Sequence, residues 1–250
     1  MNIQQLLVVT ASFGLLAACN GGGSDPGPVS ATTAEGIWSG TTSTSRSLTG
    51  IVLGNGMYWV LYSAPNNSAA IAGVVVGRGT SLNGSYSATE GKDFNFEGQG
   101  AHDATVSASY VAKQSFNGSI TYPGLNQTVA FTSSFNTAFD QPLSLSAIAG
   151  TYSGNAIVVG GAQEATSLVV TADGAVSGSA STGCLFSGHA TPFASGGIYD
   201  LSITFGGGAC SNGTSTVTGI VYYDTAARKI YSVALNYTLS NGFVFVGSKL

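Results

Sequence analysis

From Gly36 onward the chain alternates apolar and polar residues, or runs short apolar blocks, and apolar spacings of three and four are almost absent. Val, Ile, Thr, Tyr and Phe fill these blocks, the side chains that suit a pleated, half-buried surface. Leu48–Leu53 and Tyr58–Tyr62 flank Gly54-Asn55-Gly56, whose residues accept positive φ, so the segment predicts a hairpin. Ser167–Thr171 and Val176–Ser179 flank Ala172-Asp173-Gly174 in the same way. Thr218–Tyr223 returns as Ile230–Leu235 through a polar turn with Arg228 and Lys229, and Phe243–Val246 follows Asn241-Gly242 as a last strand. Strands at intervals of roughly 8 to 12 residues imply an antiparallel meander, closed as a barrel or packed as a sandwich.

The pattern also repeats. Gly36-Ile37-Trp38-Ser39-Gly40 returns as Gly150-Thr151-Tyr152-Ser153-Gly154, and each copy opens a stretch with room for roughly seven or eight strands. The expected fold class is therefore all-β, with two tandem small antiparallel β-barrel or barrel-like domains over 35–138 and 150–250. Between them, 139–149 is the one segment with helix-compatible spacing, and Leu143, Leu145 and Ile148 could plug a barrel end. One continuous larger sheet is the competing arrangement.

Ahead of the β region, Leu6–Ala18 is an apolar run of signal-peptide length, too short to span a bilayer, although residues 1–5 offer only the terminal amine as positive charge. Leu16-Ala17-Ala18-Cys19 resembles a bacterial lipobox, which implies a signal peptide over 1–18 and a lipid on Cys19. Asn20 is not the aspartate associated with inner-membrane retention, so the resemblance implies an outer-membrane lipoprotein, on the surface or the periplasmic face. The competing reading is an ordinary signal peptide with a coincidental cysteine. Residues 19–34 are mostly Gly, Pro, Ser, Thr and Ala and read as a tether reaching about 20 Å from the anchor.

If Cys19 carries lipid, Cys184 and Cys210 remain as a pair in an oxidising compartment. A disulfide across that separation contributes about 3 kcal/mol in the chain-entropy model. Two thiols alone lack the further ligands of a closed zinc site, so no metal or cofactor is expected. Charged residues make up only 7% of the chain, against roughly a quarter in an average soluble protein. The seven Lys and Arg are scattered and the net charge is −4, so the concentrated basic face that nucleic-acid binding needs is missing.

Three resemblances follow from these residues. The Gly-x-aromatic start of each half is similar to the first strand of calycins, the lipocalin and avidin class, which implies a ligand-holding barrel. The lipidated cysteine, Gly-rich tether and paired β domains resemble two-barrel surface lipoproteins of the factor H-binding protein and transferrin-binding protein B type. Trp38 in G-x-W-S-G, the Cys184 and Cys210 pair and the closing Phe243–Gly247 strand also resemble a family of uncharacterised proteobacterial lipoproteins, which implies no activity.

Candidate chemistry is sparse. The two histidines, His102 in an expected turn and His189 on an expected strand, fall one in each half. Asp93 and Glu97 alternate with Phe94 and Phe96, which predicts a solvated carboxylate face over a buried Phe pair. A glycosidase-like pair or a calcium site is the functional alternative, and no D-x-[DN]-x-[DN]-G loop supports the latter. Gly206-Gly207-Gly208 lacks the following helix and lysine of a phosphate cradle and reads as a loop pinned by the disulfide. Trp38, Tyr58, Trp59, Tyr62 and Tyr110 could line a ligand cavity; Trp38 is expected to fill a core instead, and Tyr58, Trp59 and Tyr62 are the candidate ligand-binding aromatics, with Trp59 facing the opposite way. The expected function is a non-enzymatic binding module, membrane-held through its lipid, that recognises a protein partner. The alternative is a calycin-like carrier of a small apolar ligand, and a hydrolytic enzyme has the fewest residues behind it.

Overall fold

A computed structural model describes residues 33–141, 144–159, 161–193, 197–236, 238 and 242–250. Cys19, the apolar run before it and most of the tether lie outside the described residues, as do Leu143 and Asn241. The first barrel comprises β1 (Gly36–Thr42), β2 (Ser47–Val52), β3 (Met57–Ala64), β4 (Asn67–Leu82), β5 (Ser85–Asn95), β6 (Gly100–Val111), β7 (Ser115–Tyr122) and β8 (Gln127–Phe135). The second comprises β9 (Gly150–Val158), β10 (Gln163–Val170), β11 (Ala175–Ala180), β12 (Leu185–Pro192), β13 (Ile198–Phe205), β14 (Thr216–Asp224), β15 (Lys229–Leu235) and β16 (Gly242–Lys249). Each barrel is an antiparallel up-and-down meander closed by its first and last strands, with Trp38 opposite Phe135 and Phe245 opposite Ala156. Closure leaves no unpaired sheet edge among the described strands, which removes the main route to strand-on-strand aggregation.

The echo between the halves has a physical cause. Trp38 donates its indole N–H to the Ala34 carbonyl at 3.0 Å, and Tyr152 donates its hydroxyl to the Ile148 carbonyl at 2.7 Å. In both barrels the aromatic of the first strand is fully buried and ties down the chain four residues upstream. Short helical turns, Thr137–Asp140 and Leu145–Ile148, join the barrels. Ile148 is buried in the second interior with Leu145 packed against it. Cys184 and Cys210 form a disulfide that ties the β11–β12 turn to the loop after β13.

The strands of the first barrel hold Tyr58, Tyr62, Tyr86 and Phe116 inside, and glycines make room for them. A Cβ on Gly73 would overlap the Tyr62 hydroxyl, and one on Gly77 would lie 2.8 Å from the Tyr58 hydroxyl. On β4 these glycines alternate with Val74 and Val76, which point outward.

That outward face is apolar because it is covered. Ile51, Trp59, Leu61, Val74, Val76 and Phe94 of the first barrel form one buried cluster with Ile198, Ile220, Tyr222, Val233 and Val244 of the second. Asn136 adds a 3.0 Å hydrogen bond to the Tyr222 hydroxyl. The two barrels thus share a third hydrophobic core between them and belong to one compact unit.

Candidate functional site

Residues 33–36 enter the first barrel at one end, where the Ala34 N–H bonds the Ser81 hydroxyl at 3.0 Å. The opposite end carries the β1–β2, β3–β4, β5–β6 and β7–β8 connections, and there the interior turns polar. Tyr62 lies near the end of β3, Asp93 and Asn95 close β5, His102 opens β6 and Tyr122 ends β7. Strand alternation places all of them around a mouth of about 100 Å3, walled on its apolar side by Val60, Ile120 and Val129.

Asp93 organises this mouth. It is only 3% exposed, and the Tyr62 hydroxyl donates to its two carboxylate oxygens at 2.8 and 3.1 Å. The Tyr122 hydroxyl faces the same carboxylate and favours its charged form. Burial pushes the Asp93 carboxyl up to about 6, against the downward pull of the two hydroxyls, His102 and Arg46. Burial and the adjacent carboxylate likewise raise the Tyr62 and Tyr122 phenols well above their usual range, so both stay protonated. Asn95 donates to the Tyr62 hydroxyl at 3.3 Å and, through its carbonyl oxygen, accepts from the Glu97 N–H at 2.9 Å.

Arg46 forms the rim. Its guanidinium sits 5.5 Å from the Tyr62 ring centre, donates to the Ser63 carbonyl at 2.9 Å and pairs with Glu97 at 2.7 Å. Two buried polar atoms near the carboxylate, His102 Nε2 and the Tyr58 hydroxyl, have no hydrogen-bond partner. Such orphans are rare in a folded interior and mark a place where polar capacity is held in reserve.

Several expectations need correction here. Asp93 does not lie on a solvated outer face; it points into the barrel, while Phe94 points out into the inter-barrel core. Alternation along β5 is as expected, but the face read as solvated is the barrel interior, and the Phe94 face is the outer one, covered by the second barrel. Glu97 sits in the turn beyond β5 and pairs with Arg46, so it forms no carboxylate pair with Asp93. His102 belongs to β6 rather than to a turn and is the cross-strand neighbour of Asp93. His189 lies on β12 of the other barrel, beside the Gly174 turn, away from His102.

The candidate aromatics separate. Tyr58 is 1% exposed inside the first barrel, Trp59 is buried in the inter-barrel core, and Tyr62 alone lines an open volume. Trp38 is a core residue, and Gly207 and Gly208 adopt positive φ in the loop that carries Cys210. Among the described residues, the gaps found inside the two barrels are small. Aromatic and branched side chains fill both barrels, leaving about 10 Å3 beside Trp38 and Tyr58 and about 30 Å3 beside Phe186 and Phe243. A shallow groove of about 310 Å3 also runs between the barrels, bordered by Ser68, Ile71, Asp224 and Lys229. Arg46, Asn95 and Tyr122 were not singled out from the sequence, because polar residues at strand ends look the same whether they face inward or outward.

No family model matches the chain, and no curated protein matches it. Among solved structures it is similar to a mutant of the vaccine antigen Transferrin Binding Protein B from Haemophilus parasuis Hp5, at 16% identity and a TM-score of 0.32. The match covers 82% of this chain and 54% of that one, so the chain spans about half the length of that protein. A TM-score of that size carries no argument about function.

Proposed function

We propose that this chain is a lipid-anchored, non-enzymatic binding module of the outer membrane. In this reading 1–18 is a signal peptide, Cys19 carries the lipid, 19–34 is the tether, 35–138 and 150–250 are the two β domains and 139–149 connects them. The observation that carries the reading is the contrast between two closed, filled barrels and one polar mouth. With both interiors packed, recognition falls to the loops and to that mouth. The mouth lies at the end of the first barrel opposite residues 33–36. A Cys184–Cys210 disulfide suits an extracytoplasmic location.

Metabolic labelling with a fatty-acid probe, followed by membrane fractionation, tests the anchor. Label on the native chain in the outer-membrane fraction, absent from Cys19→Ser, is the expected result; equal fractionation of the two overturns it. Protease shaving of intact cells then decides the display side, since complete protection places the module on the periplasmic face.

A further inference from the structure

We infer that the mouth of the first barrel is a binding site for a primary ammonium group, carried by a small amine or by a lysine side chain of a partner. The inference deepens the binding-module reading and rests on it. Its first support is charge. Asp93 is a buried carboxylate flanked by the neutral Tyr62 and Tyr122 hydroxyls, while the cation beside it, Arg46, is matched by Glu97 at 2.7 Å. A buried carboxylate without a cation of its own is an unfavourable arrangement that a positively charged ligand relieves.

The second support is hydrogen-bonding capacity. An ammonium carries three N–H donors and no acceptor. Asp93 retains acceptor lone pairs beyond those the tyrosine hydroxyls can use, since a carboxylate offers about four. His102 Nε2 has no partner and accepts when the imidazole proton sits on Nδ1. The Gln99 and Gln127 side chains line the same volume and supply amide oxygens. The third support is shape, since about 100 Å3 holds several water-sized groups, and Val60, Ile120 and Val129 can flank an aliphatic stem.

Titration of n-butylammonium chloride against the full-length protein at pH 7.5, by calorimetry and by NMR of the His102 ring, tests the site. Saturable binding with a shifted His102 signal is expected, at least tenfold weaker for n-butanol, which lacks charge, and for tetramethylammonium, which lacks N–H donors. Asp93→Asn is expected to weaken binding at least tenfold. Binding is also expected to weaken as the pH falls through about 6, where Asp93 takes up a proton. The titratable and charged groups facing that carboxylate are Arg46, Tyr58, Tyr62, His102 and Tyr122. Should Asp93→Asn fold poorly, Tyr122→Phe, which keeps the ring and loses the hydroxyl facing the carboxylate, changes the affinity if the site is real and leaves it unchanged if it is not.

An acetylated Gly-Lys-Gly amide separates the two sources. Tighter binding of the peptide than of n-butylammonium points to a lysine on a partner, and binding of the amine alone points to a small molecule. Equal binding of n-butanol, or undiminished binding by Asp93→Asn, overturns the inference. Either failure leaves the Cys19 labelling result standing, and loss of that labelling leaves ammonium binding standing.

Discussion

Asp93→Asn is expected to stabilise the protein at neutral pH, which is unusual for a fully buried and hydrogen-bonded residue. The folded-state carboxyl titrates at about 6 against 3.8 for an unperturbed aspartate, so the native state binds this proton more tightly than the unfolded chain does. Below pH 3.8 both states hold the proton and Asp93 costs nothing. As the pH rises from there to about 6 stability falls, and above 6 the cost levels off at about 3 kcal/mol, two pH units at roughly 1.4 kcal/mol each. Asparagine removes the charge, keeps one acceptor for a tyrosine hydroxyl and places a donor near His102 Nε2. After discounting one weakened hydrogen bond, the variant should gain between about 1 and 3 kcal/mol at pH 7.5. For a domain of this size that corresponds to a melting temperature roughly 2–12 °C higher. Urea unfolding of the full chain at pH 7.5 and pH 3.5 is the assay, with the gain expected at the first pH and absent at the second. A variant less stable than the native chain at pH 7.5, or equally shifted at both pH values, would refute the reasoning.

Other perturbations bear on the packing. Gly73→Ala drives a methyl into the Tyr62 hydroxyl and to 2.7 Å from the Phe94 carbonyl, and should cost about 1–3 kcal/mol while weakening ammonium binding, as read by urea unfolding and calorimetry. Leu61→Asp places a charge in the core between the barrels and should cost at least about 3 kcal/mol. Calorimetric melting should then split from one transition into two, whereas a single unchanged transition would mean that the barrels do not share a core. Replacing Cys184 and Cys210 together with serine should lower stability by about 3 kcal/mol in urea unfolding, and equal midpoints with and without the bridge would count against it.

Much of the fold was legible because local rules and the global arrangement agree. Gly54-Asn55-Gly56 and Ala172-Asp173-Gly174 turn where their φ preferences demand, with Gly56 at +84° and Gly174 at +91°. The Gly36 and Gly150 pentapeptides recur because each barrel must bury one aromatic at the start of its closing strand. What misled was the outer face. A strand such as β5 shows two alternating faces, and nothing local says whether the outward one meets water or another barrel. A signal was present nonetheless. Trp59 and Leu61 of β3 and Val74 and Val76 of β4 are apolar on the side opposite the tyrosines, so these strands read as buried on both faces. Strands of the other flank, such as β6, keep Asp103, Thr105, Ser107 and Ser109 between their inward-facing apolar positions. The mouth was harder still, since Arg46, Asp93, His102 and Tyr122 come from four separate segments and meet only when the barrel closes. Cys19 is legible only as a motif, and its role remains with the labelling experiment.

The most direct measurement is a carboxyl-carbon NMR titration of Asp93 in the folded full-length chain. A midpoint near 6, well above the exposed Asp103 of the same protein, is expected if the carboxylate is sealed under the tyrosine hydroxyls with no cation of its own. A midpoint near 4 would mean that Asp93 is hydrated or fully paired, and the barrel mouth would then lose its claim to be the binding site.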